Sequence, residues 1–358
     1  MFTRRSSGAA LVVLLAAVGA ACGSGGAGGS TTTSTAAGGT GGTGGHGAGG
    51  STTSATGGAG GGTIEIDAGP PPFPLGHVFI AGSRNAEVFE YDATLSPVSS
   101  WTHPSFGTVG PFPGQNLSVG PAGMAFDASG YLVVAAHDAF CVFSAPGVLA
   151  ACHPKFAPEP TENLIFDLDG NVYTTTATGG TNEVRKYDSA YNYVNAFAMP
   201  TGELTGVTCD PQGNLYVGSQ LGATSVIYKV DHTTFAVLDT ISIPGIVEGL
   251  QFASDGNILV ARGGGLGVLR VAPSSPTVVV STINAPGLAW AVPLTTDNAG
   301  RIYTADYENG SGTAPADLFV FDPAGNVATS RIASEVWGPF GMVVAGAVLP
   351  CGAYKPPK

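Results

Sequence analysis

Charge is what this sequence has least of. Asp, Glu, Lys and Arg make up 11% of its 358 residues, against about a quarter in an ordinary soluble domain. Lys and Arg number only 13 and form no run longer than Arg4-Arg5. This scarcity removes the basic footprint that engages a phosphate backbone, so no nucleic-acid partner is expected. No segment sustains an apolar period of 3.6 residues, which argues against helices. A serine nucleophile elbow and a paired-histidine helix motif are both missing. What the chain has in excess is glycine, 55 residues, together with 26 prolines. Excess glycine with little charge points to disorder, whereas 44% hydrophobic content points to a packed core. The two belong to different parts of the chain.

The first part reads as a targeting device followed by a spacer. Arg4 and Arg5 precede an uncharged apolar stretch, residues 8–21, shorter than the roughly 20 residues that span a bilayer. The stretch ends in Val18-Gly19-Ala20-Ala21-Cys22. Small residues before a cysteine resemble a bacterial lipobox. The resemblance implies that residues 1–22 are a signal peptide and that Cys22 is lipidated. It departs from the family at Gly19, where an aliphatic residue is usual; cleavage as an ordinary signal peptide is the alternative. The implied location is the cell envelope after export, at an outer membrane or the cell surface, with the membrane as partner through the anchor. Residues 23–62 are almost entirely Gly, Ser, Thr and Ala and cannot bury apolar surface, so a disordered tether is expected over 23–75. Its end, Pro70 to Pro74, is proline-rich.

From residue 76 a pattern recurs. An apolar strand ends in Asp, Gly follows three residues later, and a second apolar strand begins at once. The copies are Met124-Ala125-Phe126-Asp127 with Gly130, Leu164-Ile165-Phe166-Asp167 with Gly170, and Val207-Thr208-Cys209-Asp210 with Gly213. Two more are Leu250-Gln251-Phe252-Ala253 with Gly256 and Leu294-Thr295-Thr296-Asp297 with Gly300. Each Asp-x-x-Gly is a hairpin turn: Asp bonds its own downstream backbone and Gly supplies positive φ. Third strands end at Tyr91-Asp92, Tyr187-Asp188, Val230-Asp231 and Phe321-Asp322. Four short strands every forty-odd residues is the period of a propeller blade. Gly76 to Ala81 matches a second strand with no first strand before it. Phe340 to Val344 matches a first strand with no second after it. The two fragments complete one blade, which makes six. The expected fold is therefore all-β, a six-bladed β-propeller over 76–349 whose terminal strands close a shared blade, followed by a tail over 350–358.

These turns, with the strands Tyr216-Val217-Gly218 and Tyr303-Thr304-Ala305-Asp306, resemble the NHL-repeat and SMP-30/gluconolactonase-like propellers. The resemblance specifies architecture, because its motif consists of turn and core residues. It implies a ligand site at the channel mouth where the inner strands begin. Counting five residues back from each turn gives Ala122, Glu162, Thr205, Glu248 and Val292, with Phe340 by alignment. Loops after the second strands bring Arg84, His137, Asp138, Arg262, Asp306, Tyr307 and Glu308 to the same mouth, and Trp290 and Trp337 precede the last inner strands. Gluconolactonases hold a divalent cation through Glu, Asn and Asp on separate strands, so the resemblance makes Glu162, Glu248 and Asn163 candidate ligands. The partner positions read Thr205, Val292 and Phe340, which does not favour a metal. The alternative for both glutamates is a solvated rim.

Among the remaining cysteines, Cys141 and Cys152 flank the turn Ala145-Pro146-Gly147. Folding there sets them opposite each other, as a cross-strand disulfide or as two core thiols. A Cys209–Cys351 bridge is a further pairing with less to support it. Asp167-Leu168-Asp169-Gly170-Asn171 looks like the start of a calcium loop but coincides with a repeat turn, and Gly263 to Gly267 reads as a hairpin loop. The function expected is a binding or interaction module for a small-molecule, glycan or protein ligand. The alternatives are a metal-dependent lactonase or esterase and a structural envelope or adhesion protein.

Overall fold

The computed structural model describes residues 73–106, 120–157, 161–176, 182–200, 202–221, 224–307 and 315–347. Cys22, the tether to residue 72, Glu308 and Cys351 lie outside them. Among the described residues, twenty-four strands form six four-stranded antiparallel sheets. Blade I holds β1 (Val78–Gly82), β2 (Glu87–Tyr91) and β3 (Pro97–Thr102). Blade II is β4 (Met124–Phe126), β5 (Leu132–Ala135), β6 (Ala139–Ala145) and β7 (Val148–Pro154). Blade III is β8 (Thr161–Phe166), β9 (Val172–Thr176), β10 (Glu183–Tyr187) and β11 (Tyr193–Ala198). Blade IV is β12 (Glu203–Cys209), β13 (Leu215–Gln220), β14 (Thr224–Val230) and β15 (Val237–Pro244). Blade V is β16 (Val247–Phe252), β17 (Ile258–Arg262), β18 (Val268–Val271) and β19 (Val279–Ile283). Blade VI is β20 (Ala291–Thr296), β21 (Ile302–Asp306), β22 (Pro315–Phe321) and β23 (Val327–Trp337). The last strand, β24 (Pro339–Val344), pairs with β1, Val78 opposite Val344 and Ile80 opposite Met342, and completes blade I. The protein is thus an all-β, six-bladed propeller. Its described residues include one short 3-10 turn, Pro104–Phe106, and no helix long and apolar enough to cross a membrane.

Turn chemistry sets the blades. In Asp127, Asp167, Asp210 and Asp297, Oδ1 accepts the amides two and four residues on, at 2.8–3.0 Å. The closing glycines sit at φ between 77° and 86°, a region that costs other residues a Cβ clash. The fourth copy has Ala253 in place of Asp and keeps the backbone pair, Gly256 N to Ala253 O at 3.0 Å. The calcium-like Asp167 is such a turn: its second oxygen accepts from Asn171 Nδ2 and Tyr173 Oη.

Packing explains why the strands read as continuous apolar runs. The core divides into six clusters, one at each interface between adjacent blades. Leu132 and Val134 of β5 face blade I, whereas Val133 and Ala135 face blade III. Both faces of each sheet are therefore buried, which is how a ring removes free faces as well as free edges. The inner strands meet closely. A Cβ on Gly123 would lie 2.8 Å from the backbone of Asn163 and Leu164, and one on Gly206 would lie 2.6 Å from Leu250 N. Here glycine is needed for close approach.

Phe73, which the sequence reading leaves in the proline-rich end of the tether, belongs to the fold. It is buried and packs edge-on against Phe79 and Phe126 at 5.3 and 5.2 Å. Phe235 sits in the turn before β15 at φ 59°. Cys141 and Cys152 are register partners on β6 and β7 and are joined by a disulfide. Cys209 is buried and is also a disulfide cysteine.

Candidate functional site

Every inner strand breaks step with its neighbour near the same end. Thr161 pairs with Thr176 and Asn163 with Thr175, which leaves Glu162 unopposed. The ladder likewise skips Glu248, Phe340 and the dipeptides Thr205-Gly206 and Val292-Pro293. On blade II the same break shows as Ala122 N bonding Ala135 O while Ala135 N bonds Gly123 O. Such bulges free a residue from the ladder and re-aim it. Counting five residues back from the turns therefore lands on a structural feature shared by all six blades and filled with different chemistry in each.

Three consecutive blades place carboxyls at this mouth: Glu162 on blade III, Glu203 at the start of β12 on blade IV, and Glu248 on blade V. The side chains of Glu162 and Glu203 have no hydrogen bond or ion pair among the described residues. Glu248 Oε1 accepts from Trp290 Nε1 at 2.9 Å. Removal from water drives the Glu162 carboxyl well above the ordinary range, and the charges of Glu248 and Glu203 push it further. The same desolvation pushes Glu248 up to about 7, eased by the Trp290 bond and reinforced by Glu203. Glu162 feels both Glu248 and Glu203, and Glu248 feels Glu203, so the mouth carries an enclosed acidic arc.

Blades VI and I supply the opposite side. Asp306 Oδ1 accepts the amides of Ala289, at 2.9 Å, and Trp290. Tyr307 N donates to Trp290 O at 2.7 Å. These bonds hold the segment before β20, and through it the indole that binds Glu248. A Cβ on Gly263 would run into the Trp290 ring, so the indole lies against bare backbone. Tyr307 is 3% exposed and stacks edge-on with Phe340 at 5.3 Å. Burial raises its pKa, Arg84 lowers it, and the charges of Glu162 and Glu248 raise it again. Although Arg84 approaches, the Tyr307 hydroxyl completes no well-formed hydrogen bond.

Several residues expected at the mouth do other work. Arg262 does not meet the carboxylates. Its guanidinium donates to Pro244 O at 3.3 Å and to Leu266 O, because β17 ends by turning it beneath the glycine loop. Asn163 Oδ1 accepts the Leu164 amide at 2.7 Å and is thereby drawn to its own backbone. Trp337 pins the β1–β2 turn through its main chain, donating to Asn85 Oδ1 and accepting from Arg84 N. His137 and Asp138 form the β5–β6 turn, and neither contacts the acidic arc among the described residues. The one described group of three His, Cys, Asp or Glu ligand atoms within 4.8 Å is His103, Cys141 and Cys152, two of which are spent in the disulfide. The glutamate oxygens are thus not gathered as a single cation's cage.

Glu203 is the residue that sequence reasoning overlooks. It lies two residues before the bulge, on a strand that begins earlier than its counterparts. Period-2 alternation back from Thr205 is the signal that finds it. From Glu203 a cleft of about 690 Å³ opens between blades IV and V, lined also by Gln220, Gly245, Ile246, Gly263, Gly264 and Leu266. That size suits a small organic ligand.

Fold and mouth together define a six-bladed propeller with a polar site at one end of its channel. The chain matches no protein-family model and no curated protein by sequence. Among solved structures it is similar to a Bacteroides caccae protein of unknown function, with TM-score 0.58, 13% identity, and 75% of this chain and 98% of that one covered. It is also similar to a chain of the nidogen/laminin complex, with TM-score 0.56, 15% identity, and the same 75% and 98%. Virginiamycin B lyase from Staphylococcus aureus aligns at TM-score 0.47 and 15% identity over 60% and 70%. At such identities the likeness concerns the fold alone.

Proposed function

We propose that this chain is an exported, lipid-anchored binding propeller of the NHL-repeat and SMP-30 type. In this reading Cys22 carries the lipid, the Gly/Ser/Thr tract holds the propeller off an outer membrane or cell surface, and a ligand occupies the channel mouth. One observation carries it: the buried Tyr307 hydroxyl, which completes no well-formed hydrogen bond although Arg84 approaches it, feels the charges of Glu162 and Glu248, and Glu162 has no hydrogen-bond partner among the described residues. Buried polar groups are ordinarily satisfied within the protein or by what it binds. The small residues before Cys22 and the tether after it support the anchor. Bacterial anchoring needs several acyl chains, since one binds only marginally. A metal-dependent lactonase has less support, because Thr205, Val292 and Phe340 stand where its oxygen ligands would be and Asn163 is engaged locally.

The test has two arms. Cys22→Ser should move the protein from the membrane fraction to the soluble one, and unchanged partitioning would remove the anchor. Small-molecule, glycan and peptide libraries should give ligands that shift Trp290 fluorescence in the wild type and bind more weakly to Tyr307→Phe. Ligands indifferent to Tyr307 would move the site away from the mouth.

A further inference from the structure

The charge and shape of the mouth narrow its ligand. The acidic arc spans three blades, and the ion pairs made by Arg185, Lys229, Arg270, Arg301 and Arg331 go to carboxylates outside it, while Arg84 reaches the mouth at Tyr307. Arg262, on the strand that follows Glu248 in blade V, is committed to backbone carbonyls. A metal ion needs its oxygens within about 2.0–2.6 Å of one point, and the three glutamates are not gathered that tightly. A polyatomic cation suits wider spacing, because its several N–H groups reach different acceptors. The Tyr307 hydroxyl, 3% exposed and completing no well-formed hydrogen bond although Arg84 approaches it, adds a neutral acceptor beside the arc. Trp290, Tyr307 and Phe340 border the same mouth, and aromatic rings attract cations. The cleft leading away from Glu203 offers Ile246 and Leu266 with bare glycine backbone, a wall for an apolar group rather than a charged one.

We propose that the mouth recognises an organic cation, a primary ammonium or guanidinium on an apolar body, with the nitrogen among Glu162, Glu203 and Glu248 and the body in the cleft between blades IV and V. The proposal rests on the reading that the mouth is the binding site, and names the ligand class for it. Charge-assisted hydrogen bonds to two or three carboxylates supply the affinity. Desolvation supplies the selectivity: a neutral ligand leaves enclosed carboxylates unpaired, and an anion meets them with like charge. The Glu248–Trp290 bond keeps one carboxylate oriented before the ligand arrives, which lowers the cost of ordering the site.

The full chain is titrated calorimetrically at pH 8 with benzylamine, agmatine and spermidine. Benzyl alcohol is the uncharged isostere of the first, and calcium chloride the metal control. The amines should bind, and benzylamine should bind at least about tenfold more tightly than benzyl alcohol, the factor that one charge-assisted contact supplies. Glu162→Gln with Glu248→Gln should abolish that preference. Glu203→Gln alone should weaken every amine and serves as the second variant if the double one melts early. Failure of all three amines to bind at millimolar concentration would overturn the proposal, as would an amine preference that survives the glutamine substitutions. Stoichiometric calcium lost in the double variant would replace the organic cation with a metal. If neutral ligands from the libraries bind and depend on Tyr307 while the amines do not bind, the cation is wrong and the mouth stands. Amines that bind without regard to Tyr307 or the glutamates place the fault in the mouth itself.

Discussion

Replacing Glu248 by glutamine isolates the cost of holding a charge at the channel mouth. Glutamine keeps an oxygen for Trp290 Nε1 and removes only the ability to ionise. In the folded protein the Glu248 carboxyl titrates near 7, against 4.5 in the unfolded chain. It therefore stays protonated on folding at mild acid pH, where the unfolded chain ionises. A pKa raised in this way adds stability that is fully present below 4.5 and is lost as pH rises through 7. The gap corresponds to about 3 kcal/mol, and the side chain's remaining solvent contact roughly halves it, to about 1.5 kcal/mol. Urea denaturation of wild type and Glu248→Gln at pH 5, 6, 7 and 8 reads this directly. At pH 5 the two should differ by less than about 0.5 kcal/mol. At pH 8 the variant should be more stable by about 1.5 kcal/mol, a few degrees in melting temperature for a domain of this size. Glu162 feels the Glu248 charge, so removing that charge also eases ionisation of Glu162 and widens the difference at high pH in the same direction. Stability curves that fall in parallel across the range would refute the argument that Glu248 is desolvated at the mouth.

Two further perturbations address the frame. Asp210 is 2% exposed and serves Gln212 N, Asn214 N, Asn214 Nδ2, Tyr216 Oη and Lys229 Nζ; Asp210→Ala should cost about 2–4 kcal/mol in urea denaturation, and a loss below 0.5 kcal/mol would mean the turn does not depend on its side chain. Deleting residues 336–358 uncovers β1 and removes the buried Met342, Val343 and Val344, at roughly 5 kcal/mol or more; the whole ring should lose its cooperative melt, and an unchanged midpoint would deny closure through β24.

The blades were legible because their signal is local. Asp-x-x-Gly dictates a turn within five residues, and its recurrence counts the blades without knowledge of what packs where. The missing strands at the two ends likewise announced the shared blade. The mouth was only partly legible. Counting from the turns reaches the bulge on each inner strand, since those strands have nearly equal length after it. It misses Glu203, which lies before the bulge, where strand length varies. It also cannot say which way Arg262 turns, because its carbonyl partners Pro244 and Leu266 come from loops whose shape depends on the neighbouring blade. Phe73 escaped for a similar reason. Its prolines advertise a linker, and only the pocket formed by Phe79 and Phe126 turns it into core.

Blade I is assembled from both ends of the chain, and this puts a clock on the site. During synthesis β1 emerges first of the described strands and β24 last, so blade I stands with an open edge until β24 has joined it. Phe340 rides on that last strand, and the Arg84 turn is pinned by Trp337 just ahead of it. Neither can take its place beside Tyr307 earlier. A chain stopped short, or clipped near its C-terminus, has every glutamate of the arc and still no finished mouth. The mouth is thereby finished only in molecules whose ring has closed through β24.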